Sequence, residues 1–66
     1  MREWLYEARK NKNFTMAEVA TKANISESYY SKIESGNRNV PVHTAKKIAK
    51  VLGFNWTKFY EDESKA

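Results

Sequence analysis

The chain has no cysteine and a single histidine, His43, so the side chains that most often hold zinc or attack a substrate cannot be assembled in it. His43 is too isolated to serve as a catalytic base or a metal ligand, and no pair of carboxylates stands at a spacing useful for acid–base work. The chemistry that remains is hydrogen bonding and charge. Its densest concentration is Ser26-Glu27-Ser28-Tyr29-Tyr30-Ser31-Lys32, followed shortly by Asn37 and Arg38. Hydroxyls, an amide, a carboxylate and two cations so close together can grip a polar surface. We therefore expect no catalytic residue, no metal, no cofactor and no small-molecule substrate.

Charge indicates the kind of surface. Residues 1 to 60 contain eleven Lys and Arg against five Asp and Glu, a net +6, and the remaining three acids are Glu61, Asp62 and Glu63. Such an excess favours an anionic partner through counterion release and steering, although an inert basic surface would have the same composition. Sixty-six residues bury only about 60% of their unfolded surface, enough for one modest core and no deep cavity. The longest apolar run is Trp4-Leu5-Tyr6, and Met1-Arg2-Glu3-Trp4 opens no signal-peptide pattern, so a cytoplasmic protein without a membrane partner is expected.

Pro41 is the only proline and Gly36 and Gly53 are the only glycines, which leaves long unbroken stretches with little strand-like alternation. This predicts an all-α protein. Trp4, Leu5 and Ala8 form the apolar stripe of a first helix over residues 2 to 12, with Arg2, Glu3, Glu7, Lys10 and Asn11 off that stripe and Asn13 ending it. Thr15-Met16-Ala17-Glu18 is a capping box, with Phe14 and Val19 as its hydrophobic staple. The device recurs at Ser26 between Ile25 and Tyr30, and at Asn55 between Phe54 and Phe59. A short second helix is thus followed at once by a third, over about 27 to 35, that stops at Gly36 in left-handed geometry. Pro41 opens a fourth helix whose Val42, Ala45, Ile48, Ala49 and Leu52 share a face, while Lys46, Lys47 and Lys50 form a solvated one. A last short helix carries Trp56, Phe59 and Tyr60, which divide between core and a surface patch suited to a dimer. We expect one domain over 1–60 and a short acidic tail over 61–66.

Two short helices that cross steeply need apolar packing positions, a small residue at the closest approach and a turn residue tolerant of positive φ. Val19, Ala23, Ile25, Tyr30 and Ile33 supply the first, Ala20 the second and Asn24 the third. The compact five-helix domain is therefore expected to contain a helix-turn-helix formed by helices 2 and 3.

The chain resembles the phage-repressor and Cro type of helix-turn-helix protein. The resemblance runs from Leu5 to about Tyr60 and is carried by Leu5-x-x-Ala8-Arg9, Phe14-Thr15-Met16-Ala17-Glu18-Val19-Ala20, Ile25-Ser26-x-Ser28-Tyr29-Tyr30-Ser31-Lys32-Ile33-Glu34-x-Gly36 and Ile48-Ala49-Lys50-Val51-Leu52-Gly53. It departs from the family pattern at Met16, where Gln is frequent, at Asn13 and Asn24, where Gly is common, at Val40-Pro41, where the proline is shifted by one, and at Glu27, often Arg, Lys or Gln. The resemblance implies a third helix that enters the major groove of double-stranded DNA, in a homodimer on a two-fold-related site, and a small transcriptional regulator that acts as a repressor.

On that implication Glu27, Ser28, Tyr29 and Lys32 are the candidates for base edges. Lys32 suits guanine O6 and N7, Ser28 a base or phosphate, Glu27 either accepts from cytosine N4 or simply repels phosphates, and Tyr29 meets a thymine methyl with its ring or a phosphate with its hydroxyl. Thr15, Ser26, Ser31, Asn37 and Arg38 are the candidates for phosphates, as residues at helix starts or in the loop after helix three. Arg9 and Glu34 resemble a family ion pair that orients the third helix without reading DNA. The rival reading is an antitoxin-type or adaptor protein whose main partner is another protein.

Overall fold

The starts of the second and third helices and the ends of the third and fourth fall where Thr15, Ser26, Gly36 and Gly53 place them. In the computed structural model, which describes residues 1–37 and 39–64 and side chains as far as Glu61, the order is α1 (Glu3–Asn11), α2 (Met16–Lys22), α3 (Glu27–Ser35), α4 (Val42–Leu52) and α5 (Lys58–Ser64). Arg38 and residues 65–66 of the expected tail lie outside the described residues. Thr15 forms the full capping box with Glu18, and the Ser26 hydroxyl accepts the Tyr29 N–H at 3.0 Å. Asn13 and Asn24 take left-handed backbone at φ 59° and 60°, the substitution for glycine that an Asn tolerates best. Gly36 at φ 87° ends α3 in a conformation that a side chain would strain.

The helices close around Leu5, Val19, Tyr30, Ile33, Ala45, Ile48 and Phe59, all fully buried. α2 packs on both α3 and α4, α1 packs on α3, and Ala20 is buried between helices where a larger side chain would hold them apart. Burying each large aliphatic or aromatic side chain contributes about 1.5–3 kcal/mol, and this core supplies most of what holds α3 against the rest. Trp4 meets Phe54 and Phe59 edge-on at centroid distances of 5.2 and 5.0 Å, which seats α5 on α1.

Three expectations need correction. Val42 is 46% exposed, and Thr44 takes the buried place instead. At about 100° per residue, both lie at the edges of the Ala45-Ile48-Ala49-Leu52 stripe, but Val42 is the first residue of α4 and has no preceding turn to cover it. Arg2, expected inside the first helix and off its apolar stripe, instead precedes α1 as its N-cap and is buried. Finally, Asn55 caps a turn before α5, its Oδ1 accepting Thr57 N–H at 3.0 Å and the Thr57 hydroxyl at 2.8 Å, and α5 continues through Glu61, Asp62 and Glu63 to Ser64. No helix among the described residues is long and apolar enough to cross a membrane.

Candidate nucleic-acid interface

α3 has two faces because its sequence alternates them with helical period. Glu27, Ser28, Ser31, Lys32 and Ser35 fall within an arc of about 140° at helical spacing. Of these Glu27, Ser28, Lys32 and Ser35 are exposed and Ser31 is half-buried. Tyr30 and Ile33 fill the opposite side and are fully buried. Neither Glu27 nor Lys32 has an ion-pair partner among the described residues, so the Lys32 ammonium and the Glu27 carboxylate keep their hydrogen-bonding capacity. Tyr29 sits between the two faces, half-buried and packed against the core. Ser35 was not among the sequence candidates although its spacing from Ser28 and Lys32 places it on their face; its hydroxyl donates to the Lys32 carbonyl at 2.9 Å.

Thr15 and Ser26 are the N-caps of α2 and α3, and Asn37 follows the C-cap of α3. Thr15 and Ser26 are exposed, and each accepts a backbone N–H with its hydroxyl oxygen while the hydroxyl proton stays available for an anion. Asn37 is exposed immediately after Gly36, and its N–H closes α3 on the Lys32 carbonyl at 3.0 Å. Ser31 belongs neither to a helix start nor to the loop: it is the fifth residue of α3 and shares the face of Ser28 and Lys32.

Under the exposed face lies a polar cluster that ties α3 to α1. Arg9 Nε donates to Glu34 Oε1 at 2.8 Å and a terminal guanidinium nitrogen donates to Oε2 at 3.2 Å, the forked geometry in which arginine and a carboxylate match. The other guanidinium nitrogen donates to the Phe14 carbonyl at 2.9 Å, and the Tyr30 hydroxyl donates to Glu34 Oε1 at 3.1 Å. The hydrogen bond to Glu34 raises the Arg9 pKa further, against the cost of burial. Burial, and then the Glu34 carboxylate, push the Tyr30 phenol well above its ordinary value, so the proton it donates stays in place. Glu34 thus receives three hydrogen bonds from two helices, which tie the last turn of α3 to α1.

α5 holds the other end of the same region. The Tyr60 hydroxyl donates to the Val40 carbonyl at 2.7 Å, a link from α5 to the segment between α3 and α4 that the sequence reading had not found. Tyr60→Phe is expected to lower the unfolding free energy by about 1 kcal/mol, read as a lower urea midpoint with an unchanged slope. An unchanged midpoint would show that water replaces the bond at no cost. Tyr60 also meets Trp56 edge-on at 5.9 Å, with the Lys46 ammonium 5.2 Å from the indole. Lys47 and Lys50, with Lys22 and Asn24, rim a shallow cleft between α2 and α4. Among the described residues no group of three acidic or histidine side chains could hold a metal ion.

A capped α2, a left-handed Asn turn and an α3 with one buried and one exposed face define a helix-turn-helix protein. A family model described as helix-turn-helix matches residues 5–59, and the chain belongs to that family, of the phage-repressor and Cro type that its motifs resemble. It is 50% identical over 62 residues to the uncharacterized HTH-type transcriptional regulator YqaF of Bacillus subtilis (strain 168), covering 94% of this chain and 82% of that protein. A solved SinR protein/SinI protein complex contains a chain of the same fold, with a TM-score of 0.80 and 25% identity over 98% of this chain. The present chain spans 65% of that solved chain.

Proposed function

We propose that this DNA-binding transcriptional regulator reads a specific duplex sequence by laying the exposed face of α3 in the major groove. The observation that carries this reading is the coincidence on one arc of Glu27, Ser28 and Lys32, all exposed, with the opposite side locked into the core. Lys32 and Ser28 take base edges, Glu27 accepts from a cytosine amino group, and Tyr29 meets a thymine methyl. Thr15, Ser26 and Asn37, together with Arg38, hold phosphates on either side, Ser31 reaching one from the reading face. Arg9 and Glu34 orient the helix. One α3 reads too few base pairs to compete with genomic DNA, so binding is as a homodimer with its reading helices about 34 Å apart, one turn of the duplex. Blocking a promoter in this way represses.

Selection of bound sequences from random duplex DNA tests the reading: an inverted repeat should emerge, and recovery of no preferred sequence would overturn it. Lys32→Ala should then cost about 1–3 kcal/mol on the selected site and relax preference at one position per half-site. Arg38→Ala should instead weaken all duplexes alike and reduce the salt slope by about 1 per protomer. Equal losses on selected and scrambled DNA for Lys32→Ala would move Lys32 from base to phosphate. A second reading, a regulator whose main partner is another protein, is favoured by the solved neighbour's being a SinR protein/SinI protein complex. It predicts a stoichiometric complex with a defined protein by sedimentation, together with weak binding to the selected site.

A further inference from the structure

The C-terminal end of α3 would ordinarily leave four carbonyls without helical donors. Two of the donors it receives come from Arg2, thirty-one residues before Ile33: the Arg2 N–H donates to the Glu34 carbonyl at 2.8 Å and a guanidinium nitrogen donates to the Ile33 carbonyl. Arg2 is 5% exposed, and its guanidinium carbon stands 5.7 Å from the centre of the Phe59 ring. The Arg2 carbonyl in turn accepts the Leu5 and Tyr6 N–H groups that start α1, each at 3.1 Å. One residue therefore begins α1, ends α3 and rests on α5. A cation at a helix C-terminus is favoured by the helix dipole, and a planar guanidinium can stack on a ring while donating sideways, which an ammonium cannot.

The turn it closes carries Lys32. The Lys32 carbonyl accepts the Asn37 N–H at 3.0 Å and the Ser35 hydroxyl at 2.9 Å, and Gly36 N–H reaches the Ile33 carbonyl at 3.1 Å, so the whole turn from Lys32 to Asn37 is one hydrogen-bonded unit that includes both Arg2 acceptors. We propose that Arg2 is a positioning residue for DNA reading, closing the last turn of α3 so that Lys32 and Asn37 are presented to the duplex in one fixed arrangement. This rests on the DNA-reading role proposed for α3, and extends it to a buried residue that touches no base or phosphate.

Arg2→Met keeps the apolar stem and the backbone N–H but removes the guanidinium; Arg2→Lys keeps a cationic donor. Both are to be compared with the unmutated protein well below their own melting temperatures. In the free protein, amide hydrogen exchange at Gly36 and Asn37 should speed about 10-fold or more in Arg2→Met, the equivalent of one lost charged hydrogen bond, while Val19 and Ala20 keep their protection. On DNA, affinity for the selected site should fall about 10-fold with affinity for scrambled duplex falling far less, and Arg2→Lys should recover part of both effects. Unchanged exchange at Gly36 and Asn37 would overturn the closure. Faster exchange with an unaltered ratio of selected to scrambled affinity would overturn the positioning role and leave Arg2 a stabilising residue alone. If the unmutated protein itself prefers no duplex, the reading role of α3 falls, and this inference falls with it; if the unmutated protein prefers the selected site and the Arg2 variants keep that preference in full, this inference alone is wrong.

Discussion

Glu34→Ala is expected to destabilise the folded domain by about 3–5 kcal/mol, the cost of leaving one member of a buried ion pair behind. Arg9 is 7% exposed and would retain the Phe14 carbonyl as its acceptor, a neutral group against a full positive charge. The Tyr30 hydroxyl would lose its acceptor as well. Small domains have total stabilities of roughly 0.05–0.15 kcal/mol per residue, so this single change should bring a chain of this length close to unfolding at 25 °C. The loss is a property of breaking the cluster and does not measure what the cluster contributes. Two desolvated ions repay their burial only partly, and the triple replacement Arg9→Met, Glu34→Leu and Tyr30→Phe should therefore recover most of the stability that Glu34→Ala removes. Urea unfolding of the three proteins decides it: a Glu34→Ala midpoint equal to that of the unmutated protein would mean that water already reaches the pair. If the triple variant is stable but reads DNA with reduced preference, the cluster serves orientation more than stability.

Salt should have the largest effect on binding. Each chain brings a net +6 over residues 1 to 60, and the proposed dimer, neutralising about six to ten phosphates, should lose roughly 10³–10⁵ in affinity between 50 and 200 mM salt. The logarithm of affinity should fall linearly with the logarithm of salt concentration, with the same sign on selected and scrambled duplex, because phosphate contacts are common to both. Fluorescence anisotropy of a labelled duplex at several salt concentrations gives the slope directly. A flat response would remove nucleic acid as the partner, and a slope below about 2 would mean that α3 approaches DNA without the flanking phosphate contacts proposed for Arg38 and its neighbours.

What the sequence determined by itself was governed by neighbours within about four residues. Thr15, Ser26 and Gly36 mark helix ends because a cap is a hydrogen bond to a backbone group one turn away, and Asn13 and Asn24 mark left-handed turns because their side chains tolerate that backbone. The buried face of α3, and with it the exposed face of Glu27, Ser28 and Lys32, follows from helical period alone. The Arg9 and Glu34 contact, 25 residues apart, was legible only through likeness to a family, since no local rule joins two charges on different helices. Tertiary structure alone decided the rest. Val42 and Thr44 exchange places because coverage at the end of a helix depends on which neighbour passes over it. Tyr60 reaches the carbonyl of Val40 because α5 folds back over that segment. Arg2 reads locally as a helix residue off the apolar stripe, and it becomes the closing residue of α3 because packing brings the start of α1 against carbonyls that helix geometry leaves without donors.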